Sequence, residues 1–250
     1  MEREQYAIMA RREERHWWYA GMRRVALAVL AQALPSGTDG RLILDAGCGT
    51  GGTTVELQRF GRVVGVDLAW EALQPAFGHG LTELARASIE RLPFADASFD
   101  VVTSFEVVYH LGVASDISAL RELRRVLKQE GLLLLRVPAH DWLRGEHDRL
   151  VHTRHRYSRA EIADKLRQAG FRIQLLSWAN TLLFPPAVAK RMLEHTNGQA
   201  DDVAAEPDLW QPPEPLNAVL KSLVAVEALA IPRRLPLPFG LSLLAVARAV

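Results

Sequence analysis

Leu44-Asp45-Ala46-Gly47-Cys48-Gly49-Thr50-Gly51-Gly52 is the stretch on which the fold turns. It closes a short apolar run, 41–46, and leads into 53–60, which reads as a helix. Strand, glycine loop and helix form a unit in which backbone passes close to a ligand, because glycine carries no side chain and reaches positive φ without strain. Gly47, Gly49 and Gly52 fit a GxGxxG spacing, and Asp67 lies 20 residues beyond Gly47, at the end of the next strand, 62–67. An acid in that place accepts hydrogen bonds from ribose hydroxyls.

Outward from the loop the alternation continues. A helix over 68–77, weakened by Pro75, leads to a short strand at 84–88; strands at 99–104 and 131–137 are separated by a charged amphipathic helix over 115–128. Ser158 opens a helix to 170 with Glu161 as its capping-box partner, and strands follow at 171–178 and 241–247. Upstream, 4–34 reads as one or two helices ended by Pro35. This pattern predicts an α/β fold: a Rossmann-like, doubly wound, mostly parallel seven-stranded sheet with N-terminal helices and a helical insertion before the last strand. The chain reads as a single domain in three parts: an N-terminal helical cap over 1–40, a core over 41–180 and 239–250, and an insertion over 181–238. The span 180–238 holds nine of the chain's 13 prolines and is too long for a hairpin turn.

Composition narrows the function. Lys plus Arg total 30 against 29 for Asp plus Glu, so net charge offers no attraction for nucleic acid. The single cysteine, Cys48, cannot form an internal disulfide, and the charged N-terminus lacks the pattern of a secretory signal, which predicts a cytoplasmic location. The apolar stretches 181–189 and 223–231 fall short of the roughly 20 residues that cross a bilayer. They suit a homodimer contact or a membrane surface. No metal site is expected.

Asp45 distinguishes among cofactors. A carboxylate two residues before Gly47 would repel the pyrophosphate of a nicotinamide or flavin dinucleotide, whereas S-adenosylmethionine brings an ammonium and a sulfonium that it attracts. Cys48, with no histidine near it in sequence, reads as a small packing residue.

LDAGCGTG at 44–51, GVD at 65–67 and IERLPFADASFDVVTSFEVVYHL at 89–111 stand in the order and spacing of the class I S-adenosylmethionine-dependent methyltransferases, and the chain resembles their type 11, small-molecule branch. The resemblance implies that Asp45, Gly47, Cys48, Gly49 and Gly51 hold the methionine part of the cofactor, Asp67 the ribose and Leu68 one adenine face, with Ser88, Ile89 and Glu90 flanking the ring. Ser88 replaces the family's usual aspartate. Asp100 is expected to be structural, and Phe105 and Glu106 to end the fourth strand, where open α/β sheets bind ligands. HWWY at 16–19, HD at 147–148, HRYS at 155–158, NTLLFP at 180–185 and PFGLS at 238–242 resemble a bacterial subgroup found near surface-glycan and secondary-metabolite genes.

Methyl transfer is an in-line displacement, so alignment is the main task, and a base is needed only for an acceptor protonated at neutral pH. His110 after the fourth strand, then His147 and His152 after the fifth, are the candidate catalytic bases. Trp17, Trp18 and Tyr19 are expected to close over the cofactor as a lid, Tyr19 touching it. The function expected is methyl transfer to a small molecule such as a secondary metabolite, sugar or lipid-linked intermediate, with O-methylation slightly favoured. The alternatives are a NAD-type oxidoreductase and a catalytically degenerate interaction module.

Overall fold

The computed structural model describes residues 3–35, 40–196, 212–235 and 237–250, without the side chains of 3–5, 146, 147, 190 and 194–196. Its strands are β1 (Leu42–Ala46), β2 (Arg62–Asp67), β3 (Leu84–Arg86), β4 (Phe99–Phe105), β5 (Leu127–Pro138), β6 (Phe171–Ala179) and β7 (Ser242–Ala249), in one seven-stranded sheet ordered β3-β2-β1-β4-β5-β7-β6. The first five pair in parallel, and β7 enters antiparallel between β5 and β6. Strand order reverses at β1, which pairs with β2 on one side and β4 on the other. The carboxyl ends of β1 and β4 therefore flank the crevice in which such sheets seat ligands.

The central strands carry apolar runs whose side chains alternate between two covered faces. Leu44, Val102, Leu133 and Leu135 point to one side, where Leu120 and Leu123 of α5 (Asp116–Val126) meet them. Ile43, Val101, Leu132 and Leu134 point to the other, under Met22, Val25 and Leu30 of α2 (Trp17–Ala33) and Val224 and Ala228 of α9 (Glu214–Ala230). Fully burying one such side chain contributes about 1.5–3 kcal/mol, so these two layers fix the sheet.

The helix predicted to reach 128 ends at Val126, and β5 starts at Leu127, four residues ahead of the predicted 131. Lys128, Gln129 and Glu130 are exposed on that extension, and Glu130 takes φ +58°, so hydrophobic pattern could not announce it. Ser158 caps α7 (Arg159–Gln168) by accepting from the Glu161 N–H at 3.1 Å. The reciprocal half of the predicted capping box is absent: the Glu161 carboxylate sits 2.8 Å from His155 Nε2 instead.

In the insertion, α8 (Phe184–Thr196) and α9 are helical, and 197–211 lie outside the described residues. Its two ends meet where Thr181 Oγ1 donates to the Phe239 carbonyl at 2.6 Å. Glu227 of α9 is buried and accepts from the N–H groups of Asn180 at 2.6 Å and Thr181 at 2.7 Å, which ties α9 to the end of β6. Among the described residues no helix is long and apolar enough to cross a membrane.

Candidate cofactor and acceptor site

The loop after β1 needs glycine at two places for different reasons. Gly47 lies at φ +89°, and a Cβ there would stand 2.1 Å from Val107 Cγ2, so the backbone lies flat against the segment after β4. Gly51, at φ +91°, is the left-handed N-cap of α3 (Gly52–Leu57). The N–H groups of Gly47 and Cys48 both donate to the Val66 carbonyl, at 2.8 and 2.9 Å, and bind the loop to β2. Cys48 is buried against Gly65, and burial pushes its thiol well up, as befits a packing residue.

Asp67 ends β2 beside this loop. Its Oδ2 accepts from the Gly49 N–H and its Oδ1 from the Ala69 N–H, each at 2.9 Å. One oxygen therefore holds the glycine loop and the other the entry to α4 (Trp70–Gly78), while each retains a second lone pair. Burial holds this carboxyl above its ordinary range.

Asp45 corrects an expectation. It is not an open carboxylate facing the ligand: it is fully buried under the loop, where Thr54 donates to Oδ2 at 2.7 Å and Thr103 to Oδ1 at 2.8 Å. Burial raises its pKa to about 6. Its work is to join β1, α3 and β4 from beneath.

The N-terminal helices roof the loop. Met9 of α1 (Arg3–Arg12) places Cε 3.1 Å from where a Gly49 Cβ would stand. Burial, then the charge of Asp67, raises the Tyr6 hydroxyl to about 12. Glu13, just beyond α1, is buried with its carboxylate at the amino end of α3: Oε2 would lie 2.6 Å from a Gly52 Cβ, and Arg23 Nη1 2.9 Å from the same point. Neither Glu13 Oε1 nor the buried Thr50 Oγ1 finds a hydrogen-bond partner, and His79 Nε2 stands 3.6 Å from Oε1. Tyr19, predicted to touch the cofactor, lies beside Glu13; burial, then Glu13, raises its hydroxyl to about 12. Trp18 packs edge-on to Tyr19 at 5.0 Å.

Leu68 is half exposed past the end of β2, as a residue lying on a ring face requires. Ser88 Oγ accepts from the Glu90 N–H at 3.2 Å, and Ile89 is buried. The Glu90 carboxylate accepts from the N–H groups of Ala114 and Ser115, each at 2.9 Å, so it braces the entry to α5. Asp100 is structural, accepting from the Leu42 N–H at 2.9 Å and from Lys128 at 2.8 Å.

At the end of β4, Glu106 takes φ +62° and pairs with the buried Arg136 at 2.8 Å. The Arg136 guanidinium lies between the Phe105 ring, at 5.2 Å, and the Trp18 ring, at 5.4 Å. Phe105 thus faces a cation of its own chain. Burial, then Glu106, holds the Tyr109 hydroxyl far above its usual pKa.

The structure brings His110 and His152 together, ring centroids 5.5 Å apart, where the segments after β4 and β5 pair through Leu111 N–H to the His152 carbonyl at 2.9 Å. His110 Nδ1 accepts from the Gly112 N–H at 2.9 Å, and burial, with a smaller contribution from His152, lowers its pKa to about 4. That hydrogen bond engages the Nδ1 lone pair of the neutral ring, so the predicted base would not act from this nitrogen. His147 lies on α6 (Glu146–Leu150), its side chain outside the described residues. Its neighbour Asp148 is buried in a two-bond pair with Arg156, at 2.8 and 3.1 Å, that pins this segment over the sheet.

Sequence reasoning missed Glu13, Arg23, Arg136 and His140. The first two sit in a run of charges that reads as a solvated helix, and Arg136 interrupts a strand with no cue to its aromatic neighbours.

A parallel sheet reversing at β1, with a glycine loop under an acid at the end of β2, defines the class I methyltransferase fold. Residues 44–135 match the family described as "Methyltransferase domain". The malonyl-[acyl-carrier protein] O-methyltransferase of Herminiimonas arsenicoxydans is 35% identical over 161 residues, 61% of this chain and 60% of that one. The ubiquinone biosynthesis O-methyltransferase of Nitrosococcus oceani is 40% identical over 87 residues, 32% of this chain and 37% of that one. The chain thus spans less than two thirds of the length of these curated relatives. Among solved structures, one from Haloferax volcanii, of a methyltransferase bound to the Trm112 methyltransferase activator, superposes with a TM-score of 0.60 at 23% identity, covering 99% of this chain and 96% of that one.

Proposed function

We propose that the chain transfers a methyl group from S-adenosylmethionine to a small-molecule acceptor, with oxygen the favoured atom. The observation that carries this reading is Asp67, whose carboxylate is fixed by two backbone N–H groups and keeps lone pairs for two ribose hydroxyls. The polar groups beside it fit the same cofactor. Glu13 Oε1 is buried beside the loop with no hydrogen bond of good geometry, His79 standing 3.6 Å away, and an ammonium would satisfy it. A carboxylate would suit the Arg23 guanidinium and the amino end of α3.

When bound, the cofactor supplies a methyl group already activated on a positive sulfur. What remains for the protein is alignment and exclusion of water. Asp67 and the Gly47–Gly51 backbone set one end; α1, with Met9 and Tyr6, closes over it. Phe105, Glu106 and Arg136, locked by their ion pair and ring contacts, form the wall at the end of β4 against which an acceptor would lie. His110 and His152, whose rings lie 5.5 Å apart where the segments after β4 and β5 pair, are the candidates to orient the acceptor and take its proton. The two O-methyltransferase relatives favour a hydroxyl or carboxyl acceptor. Helix α9, tied to the end of β6 by Glu227, and α8 before it are the described parts of the insertion that would border the acceptor.

Isothermal titration with S-adenosylhomocysteine tests the reading. Micromolar binding is expected; no heat from protein shown to be folded would defeat it and favour an interaction module on the same fold.

A further inference from the structure

Beyond the cofactor loop, the carboxyl end of the sheet carries a second group of unusual side chains. His140 follows β5 at φ +65°, ψ 91°, a backbone conformation that a non-glycine residue keeps only where its surroundings demand it. Its ring stacks flat on Trp178 of β6, centroids 4.9 Å apart and planes 8° apart. Phe184, at the start of α8, stands at 5.1 Å and Trp142 at 5.8 Å. Three rings thus surround one imidazole, and Phe239 extends the group by lying 5.1 Å from Phe184.

Two features set this group apart from ordinary packing. His140 Nε2 is shut from solvent and has no hydrogen-bond partner, although the imidazole does bond the Gly240 backbone. Burial lowers the pKa of the ring, so at neutral pH it is uncharged, with one nitrogen donating and one accepting. The cluster also does not close on itself: Trp142 is 55% exposed, Leu182 46% and Phe239 37%, an apolar rim around a buried polar atom. A site that is flat, aromatic and apolar with one convergent polar atom is how proteins hold a planar ring bearing one polar substituent.

We propose that His140, Trp142, Trp178 and Phe184 form a binding site for a planar aromatic ring carrying a hydroxyl or N–H, which stacks among the rings and donates to His140 Nε2. Trp142, on the short 3-10 turn Asp141–Leu143, is the exposed ring that swings aside to admit it. The site lies four residues beyond Arg136 along β5, at most about 13 Å at 3.3 Å per residue. It would therefore hold the far portion of an acceptor whose reacting atom lies at the end of β4. Calling that ligand an acceptor rests on the methyl-transfer reading; the site itself does not.

The test compares 1-naphthol with naphthalene, which has the same ring and no donor, by quenching of tryptophan fluorescence and by the side-chain nitrogen resonances of 15N-histidine-labelled protein. Wild-type protein is expected to bind naphthol about tenfold more tightly, the worth of one hydrogen bond to a buried partner, with a shift of the His140 Nε2 resonance on naphthol alone. His140→Phe keeps the stack and should bring naphthol down to the affinity of naphthalene. Equal affinities in wild type, binding of neither probe, or a naphthol preference that survives His140→Phe would overturn the proposal. If the variant does not fold, the wild-type discrimination and the Nε2 shift decide. Repeating the titration in Asp67→Ala separates the two readings: S-adenosylhomocysteine binding should weaken there by about 10-fold or more while the naphthol preference should persist. A protein that ignores S-adenosylhomocysteine yet prefers naphthol would sink only the methyl-transfer reading.

Discussion

Asp45→Asn should flatten part of the protein's pH–stability curve. The carboxyl is completely buried, and burial raises its pKa from 3.8 to about 6 even though two threonine hydroxyls donate to it. An acid whose pKa is higher folded than unfolded binds its proton more tightly in the native state. Its ionisation therefore costs nothing below about pH 4, costs progressively more between pH 4 and 6, and costs a constant amount above that. The difference of about 2 units, at 1.36 kcal/mol each, amounts to about 3 kcal/mol of stability forgone at pH 7. Asparagine is the same size, needs no desolvation of charge, and can donate to one threonine while accepting from the other. Urea unfolding midpoints of wild type and variant, taken at intervals from pH 4 to 8, would show it. The wild-type free energy should fall relative to the variant's by about 3 kcal/mol across pH 4–6 and run parallel above. Curves that stay parallel throughout would mean that Asp45 enters the folded state at its ordinary pKa, and the burial argument would fail.

Other outcomes follow from the same geometry. Asp67→Ala should weaken S-adenosylhomocysteine binding by about 1.5–3 kcal/mol, roughly 10- to 150-fold, through lost charged hydrogen bonds; calorimetry showing a change within twofold would refute the ribose assignment. Gly47→Ala sets a methyl group against Val107 at φ +89° and should cost 2 kcal/mol or more, to the order of magnitude of about 1–3 kcal/mol for each strained backbone or overpacked contact, read as a lower urea midpoint. Val107→Ala in the same chain should restore only part of it, because the strain in φ remains. Tyr157→Phe removes a buried 2.9 Å hydrogen bond to Asp116 and should cost about 1 kcal/mol in the same assay.

Much of the scaffold could be read from sequence because its signals are local. The second strand is found at 62–67 as predicted, and the fourth within one residue, since fully buried parallel strands are apolar runs bounded by turn residues. The position of Asp67 at the end of β2 beside the glycine loop was legible too, because its distance from that loop is fixed by one helix and one strand. Charge roles were not. Asp45 was expected to face a ligand because sequence shows spacing and not which side of a loop a carboxylate takes; Thr54 and Thr103, which claim it, are 9 and 58 residues away. The same blindness hid Glu13 and the bond by which His110 Nδ1 accepts from a backbone N–H two residues on.

The insertion's two helices face unlike constraints. Val224 of α9 stands so close to α2 that a Cβ on Gly21 would lie 2.8 Å from it, and Ala228 and Ile231 complete that face of the core. Among the described residues α8 gives no fully buried side chain to either core layer, while its first residue, Phe184, borders the aromatic group at the end of β6. Substitutions on the inward face of α9 should therefore cost stability of the whole fold, whereas those along α8 beyond Phe184 should leave both core layers intact. One arm of the insertion is thus bound to the scaffold, and the other is coupled to it mainly through one ring at its start.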